Sequence, residues 1–371
     1  MIDNDLRPRR SVRRLLARLM VGLSVLIALP LGCASIRSSN PYLDAAKPHH
    51  TATGFRNNYP NGDERSLWDV LRWQWTREVP PPPSGGWQIP VMPADAAALR
   101  SNRSEPSKPT VTWVGHATVL LQIDGQNILT DPQLSERASP VSFLGPKRAT
   151  EPALTLATLP HIDVVVISHN HYDHLDAPSV RGLAAQPGGS PLFVVGLGLK
   201  RWFENEGITR VVELDWWNTT RAGPLTVHFV PAHHWSTRTR FDRNQTLWGG
   251  FVVQGLHERV IYVGDTGYSA DFRDIAQQFD GFDLAVMPIG GYEPRWFMRS
   301  SHIDPEEAVR IVLELKAHQA VGVHWGTFLG LTNEPLDEPP KKLAEARRQL
   351  GVTESAFFTL KIGETRPFGR R

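Results

Sequence analysis

The stretch Val164-Val165-Val166-Ile167-Ser168-His169-Asn170-His171-Tyr172-Asp173-His174 decides how this chain is read. Four consecutive β-branched residues have the texture of a strand buried on both faces. The polar loop that follows offers four ligands, His169, His171, Asp173 and His174, within six residues. Imidazole and carboxylate suit zinc and other borderline divalent ions. In an extended or turning loop His169, His171 and Asp173 project to one side. The adjacent Asp173 and His174 must then diverge, which favours two metal ions over one. One or two histidines in a loop are usually just solvated. Four donors at the end of an apolar strand ask for another explanation.

Three later apolar runs also end in a donor. Phe229-Val230-Pro231-Ala232 leads to His233-His234-Trp235. Val260-Ile261-Tyr262-Val263 leads to Gly264-Asp265-Thr266-Gly267. Ala320-Val321-Gly322-Val323 leads to His324-Trp325-Gly326. The ends of strands are where α/β sheets place their sites. Each of these loops alone reads as structural; together with the first cluster they point to one centre.

Around these runs the texture is that of an α/β domain. Strands are expected at 111–114, 119–123, 128–130, 164–167, 192–195, 225–230, 250–253, 260–263, 284–287 and 321–323. Helices are expected at 178–185, 199–206, 270–279 and 305–316, the last with Asp304 as N-cap and Pro305 in its first turn. Sheets flanked by helices follow from this alternation, whereas the topology does not. Upstream, Leu67, Val70, Leu71 and Trp75 mark a helix within 66–79, Pro80 to Gly86 breaks regular structure, and 94–109 reads as a polar surface linker. The chain thus divides into 1–33, an N-terminal tether and arm with a short helix at 34–109, and a domain at 110–371.

The 371 residues are 41% hydrophobic and 21% charged, ordinary globular values, and a formal charge of +2 argues against a nucleic-acid partner. Twelve tryptophans are many, and serve either a core or a lipid interface. Six arginines between Arg7 and Arg18 precede an apolar run, Leu19 to Leu31, too short for a membrane span and typical of a secretory signal. Cys33 is the chain's only cysteine, so it forms no internal disulfide. The segment resembles a bacterial lipoprotein signal with Cys33 lipidated, although Pro30 departs from the aliphatic residue expected three before the cysteine. Ser11 to Leu16 also resembles a twin-arginine export signal. The implied place is the bacterial cell envelope, as an outer-membrane lipoprotein facing the periplasm.

At His169 to His174 the sequence resembles the metallo-β-lactamase superfamily, through its H-x-H-x-D-H signature. It further resembles the N-acylphosphatidylethanolamine-hydrolysing phospholipase D branch. The stretches that carry this are Thr112 to Thr118, Ser139-Pro140, Gly145 to Arg148, Ser168 to Asp176, Glu213 to Trp217, Gly264 to Tyr268, Tyr292 to Met298, Asp304 to Val309 and His324 to Phe328. Together they span roughly residues 110 to 350. The resemblance implies an αββα sandwich of two mixed β-sheets flanked by helices. It implies one metal at His169, His171 and His234, a second at Asp173, His174 and His324, and Asp265 bridging both. Of the pair His233-His234, the second matches, because the family ligand precedes Trp.

Two Zn2+, or other divalent metals on the same donors, would make hydroxide available for attack on phosphorus. The implied substrate is a membrane phospholipid of N-acylphosphatidylethanolamine type, cleaved to phosphatidic acid and an N-acylethanolamine. Asp173, Asp265 and His302 are the catalytic candidates, although Ser301 stands where relatives carry Gln. His302 equally reads as a surface residue at a helix start. Arg295 and Arg299 are candidates for phosphate, His116 for a group behind the metals, and Asp131 for structural support. Hydrolysis of a lactone or sugar-phosphate lactone remains open, as do an idle envelope lipoprotein and a di-iron redox protein. Fold likeness does not settle between them.

Overall fold

Val164–Ile167 forms a strand, and its alternate side chains face two different cores: Val164 and Val166 one way, Val165 and Ile167 the other. A continuous apolar run is what a strand covered on both sides requires. The computed structural model describes residues 39–60, 65–102 and 108–369. The expectations for residues 1–33, including Cys33, lie outside the described residues.

Two seven-stranded mixed sheets hold fourteen strands, numbered here in chain order. The first contains β1 (Thr110–Gly115), β2 (Thr118–Ile123), β3 (Gln126–Thr130), β4 (Val164–Ile167), β5 (Leu192–Gly196) and β6 (Val211–Leu214), with β14 (Thr365–Pro367) at its edge. The second contains β7 (Thr219–Ala222), β8 (Leu225–Val230), β9 (Gly250–Gln254), β10 (Arg259–Tyr262), β11 (Phe282–Pro288), β12 (Ala317–Val323) and β13 (Phe357–Thr359). Their orders are β14-β1-β2-β3-β4-β5-β6 and β7-β8-β9-β10-β11-β12-β13. In each sheet the first three pairings are antiparallel and the last three parallel. In register, Val166 lies between Thr130 and Val194.

One core lies between the sheets, where Trp113, Leu121, Val166 and Val194 meet Phe229, Phe251 and Tyr262. Beneath the first sheet, Leu120, Val165, Ile167 and Phe193 pack against α3 (Ala177–Ala184) and α4 (Lys200–Asn205) through Leu183 and Phe203. Over the second sheet lie α5 (Asp271–Gln278), α7 (Pro305–Glu314) and α8 (Pro339–Leu350). The layers are therefore helix, sheet, sheet, helix, as expected. The start of α7 is also as expected: Asp304 accepts from Glu307 N, Glu307 returns the bond, and Pro305 fills the first turn.

The segment 94–109 is not merely a linker. Ala96–Ser101 is a helix, α2, because Asp95 accepts from the amides of Ala97 and Ala98 and Leu99 finds a buried place under the first sheet. Helix α8 and strand β7 escaped the pattern reading. The first opens on two prolines and buries only Pro339, Leu343 and Ala346; the second is a short polar edge. The helix within 66–79 is α1 (Leu67–Thr76), started by a Ser66–Asp69 capping box. Upstream, the arm is latched to the body: Lys47, His49 and His50 all reach the carboxylate of Asp215, at 2.5, 2.7 and 3.0 Å, and His49 stacks on Trp216. Among the described residues no helix is long and apolar enough to cross a membrane.

Candidate metal centre

Four loops at strand ends meet on one side of the sandwich. Residues 169–174 follow β4, His233 and His234 follow β8, Asp265 follows β10, and His324 follows β12. Gly264 makes one of these junctions possible. Its φ is +67°, and a Cβ there would come 2.7 Å from the Ser168 Cβ. His324, His116 and Asp131 hold left-handed backbone, with φ of 65°, 51° and 32°. Such conformations cost energy in non-glycine residues and gather at functional sites. The surrounding bonds hold two of them: His324 N donates to His116 O at 3.0 Å, and His116 N donates to Thr327 Oγ1 at 2.9 Å.

All seven expected ligands come together. His169, His171 and His234 form one group, and Asp173, His174 and His324 form another that also includes His116. His171 Nδ1 lies 2.8 Å from His169 Nε2 and 3.4 Å from His234 Nε2. Asp265 touches both groups: its oxygens are 3.2 Å from His174 Nε2 and 3.2 Å from His324 Nε2, and it clusters with His234 of the first group as well. His174 Nε2 is also 3.3 Å from Asp173 Oδ2.

The side chains behind these donors fix which atom each presents. Asp131 is fully buried and accepts from Ser168 N (2.7 Å), Ser168 Oγ (2.5 Å), Tyr262 OH (2.5 Å) and His174 Nδ1 (2.6 Å). That last bond leaves His174 Nε2 facing the centre. His234 Nδ1 is held by Ser301 O at 2.9 Å, which turns Nε2 inward in the same way. His116 Nε2 lies 3.1 Å from Asp173 Oδ2, the place behind the ligands expected for it. His233 instead spans Ser300 O and Tyr59 O, each at 2.8 Å, away from the ligand groups.

Charge is distributed unevenly. Burial holds His169 and His234 well below the ordinary imidazole range and His171 down to about 4. For His174, burial works the same way, but Asp265 and Asp173 outweigh it and raise the ring well above its usual value. His324 rises to about 9 against burial, through Asp265 and Asp173. Both carboxylates stay ionised: burial opposes this, and His174 overcomes it at each.

The donor set fits divalent metal. His174 Nε2, His324 Nε2 and Asp265 Oδ1, all facing the centre, are buried without a hydrogen-bond partner. Native proteins rarely leave so many buried polar atoms unpaired in one place. Nitrogen and oxygen atoms crowded at 2.8–3.4 Å are the donor set that a divalent cation takes.

His302 faces this centre. Its side chain keeps 18% of its exposure, and Nδ1 is 3.7 Å from Asp265 Oδ2. Burial lowers it to about 4. Arg295, read as a phosphate candidate, is engaged elsewhere: it pairs with Glu307 at 2.7 Å and donates to His302 O at 2.8 Å, so it buttresses the His302 loop. Arg299 is exposed.

Some residues were not visible as site residues from sequence. Tyr262 stands out only as one hydroxyl in an otherwise aliphatic strand. Glu334 gave no signal at all. Its half-buried carboxylate accepts from Gly291 N (2.5 Å) and Glu293 N (3.1 Å), pressing this turn onto the centre. A Cβ at Gly291 would stand 3.2 Å from His302 Nδ1 and 3.3 Å from His324 Cε1, and φ there is +87°. Glu334→Ala is therefore expected to weaken metal affinity or activity by about 10–100-fold, as loss of a supporting partner does. Glu334→Gln keeps one acceptor and should lose less. Competition with a chelating dye measures both, and unchanged affinity and rate in Glu334→Ala would remove this role.

Fold and donor set together define a metal-dependent hydrolase of the metallo-β-lactamase fold. The family model described as a beta-lactamase superfamily domain matches residues 126–325. The chain belongs to that superfamily, in the branch of the N-acyl-phosphatidylethanolamine-hydrolysing phospholipases D. It is 42% identical over 266 residues to N-acyl-phosphatidylethanolamine-hydrolyzing phospholipase D 1 of Caenorhabditis elegans, covering 68% of this chain and 74% of that one. It is 34% identical over 278 residues to the mitochondrial enzyme of that name from Saccharomyces cerevisiae, covering 73% and 58%. Among solved structures, a metallo hydrolase from the archaeon Ignicoccus hospitalis shares the fold with a TM-score of 0.54 at 20% identity, covering 71% of this chain and all of the other.

Proposed function

We propose that this protein is a phospholipase D-type phosphodiesterase. It cleaves N-acylphosphatidylethanolamine-type lipids to phosphatidic acid and N-acylethanolamine. The observation that carries this reading is the 42% identity to an enzyme of that activity. In this reading His169, His171 and His234 hold one Zn2+, Asp173, His174 and His324 hold a second, and Asp265 lies between them. Two such ions, when bound, supply Lewis acidity towards phosphoryl oxygens and a nucleophilic water near neutral pH.

The chain's own groups do the rest. Asp131 and Ser301 fix the orientation of His174 and His234. His116 steadies Asp173. His302 is neutral at physiological pH, since burial takes it to about 4. Its partial exposure beside Asp265 supports a role in donating a hydrogen bond to the phosphate or to the departing head-group oxygen. The protein works in the cell envelope, with Cys33 lipidated and the body in the periplasm. Acyl mass on Cys33, lost in Cys33→Ser, tests the anchor.

The substrate is tested by a lipid screen with mass detection of both products. In heavy-oxygen water the label must enter phosphatidic acid, because attack falls on phosphorus. Turnover confined to a lactone panel, with no phosphodiester cleavage at full metal loading, would replace this reading by the lactonase one.

A further inference from the structure

Helix α1 is turned the wrong way round for a globular protein. Its apolar stripe, Trp68, Leu71 and Trp75, has the spacing of one helical face, and that face points to water. Trp68 and Trp75 are 74% and 78% exposed. The opposite side is anchored: Trp73 stacks on Phe297 at 4.9 Å, and Arg77 donates to Gly330 O. An orphan helix held this firmly, with its tryptophans outward, is built to meet something.

Two loop tips share its character. Phe143 is 80% exposed, with Leu144 and Val141 exposed beside it, and Phe241 is 78% exposed. All three features are linked to the metal centre through short chains of contacts. Phe297, under α1, lies in the short helix α6 (Arg295–Met298), and His302 N donates to Met298 O at 2.9 Å. The Phe143 loop runs into Lys147 and Arg148, which pair with Leu329 and Phe328, and the Phe328 ring is 4.9 Å from His116. The Phe241 loop is tied back by Tyr172 OH to Arg238 O at 2.8 Å, beside Trp235, which touches His171 at 4.3 Å. Exposed arginines stand among these tips: Arg72, Arg240, Arg243 and Arg299.

We propose that α1 and the Phe143 and Phe241 loops form a docking surface for a phospholipid bilayer, which seats the mouth of the metal centre on the head-group layer. Aromatic rings and leucine tips interleaved with arginine are the chemistry of the head-group boundary, with rings at the polar–apolar border and guanidinium on phosphate. This deepens the phospholipase reading and rests on it for the purpose of docking, but not for the docking itself. It also gives a function to tryptophans that no core uses.

The test labels single cysteines with an environment-sensitive fluorophore in the full metal-loaded chain carrying Cys33→Ser. The sites are Trp75→Cys, Phe143→Cys and Phe241→Cys. Leu256→Cys, 71% exposed in the turn between β9 and β10, reports on the other end of the strands. With vesicles of phosphatidylethanolamine and phosphatidylglycerol, the first three should shift to the blue and the fourth should not. In the double variant Trp68→Ser/Trp75→Ser, turnover of vesicle substrate should fall by about tenfold or more, with a water-soluble short-chain phosphodiester hydrolysed at the unsubstituted rate. Equal response at all four sites, or none, overturns the proposal. So does a shift that grows with protein concentration and needs no vesicles, which would assign the face to a second copy. Labels that shift without any phosphodiester turnover would leave docking standing and remove the phospholipase reading.

Discussion

If the centre holds two ions as proposed, Asp265→Ala will carry at most about one and will lose on the order of 10³-fold or more in turnover. The side chain is buried just after β10 and stands within reach of His174, His324 and His302, at 3.2, 3.2 and 3.7 Å. Removing it takes away the one carboxylate that clusters both with His174 and His324 and with His234. Two-metal chemistry contributes several kcal/mol of charge stabilisation, hence the size of the expected loss. Elemental mass spectrometry and steady-state rates measure it. Two ions per chain at the unsubstituted rate would refute the place given to Asp265.

The second large effect is on stability. Asp131→Ala removes the acceptor shared by Ser168 N, Ser168 Oγ, Tyr262 OH and His174 Nδ1, all buried. Breaking a buried charge network by deleting one partner costs about 3–5 kcal/mol. Metal affinity should fall by about 10–100-fold as well, because His174 loses the bond that sets its tautomer. Tyr262→Phe deletes one donor only and should cost about 1 kcal/mol. Denaturant unfolding with and without chelator separates the two losses. If Asp131→Ala unfolds at the same denaturant concentration as the unsubstituted protein, the network is not the support described.

The seven candidate ligands were legible because they stand in the loops that follow apolar strands, and strand ends are where a sheet can expose a side chain without losing its ladder. The strand Val164–Ile167 was legible because its composition allows little else. What surrounds the ligands was harder to see. Glu334 acts through two backbone amides of Gly291 and Glu293, a contact that leaves no trace in spacing. Arg295 looked available for phosphate until Glu307, twelve residues on, was found beside it. Helix α2 was hidden because one buried leucine, Leu99, gives no periodicity. The arm was legible as a segment, but its latch to Asp215 spans 165 to 168 positions and no local pattern encodes it.

The two sheets repeat one plan, three antiparallel pairings followed by three parallel ones, and the donors divide between them. His169, His171, Asp173 and His174 follow a strand of the first sheet; His234, Asp265 and His324 follow strands of the second. Each group of ligands draws on both. A chain with only one sheet formed therefore offers each ion too few donors to be held or to react. Chemical competence thus reports that both halves have folded and closed on each other. Ions held there would act as a rivet across the seam, and the half-made protein would be silent.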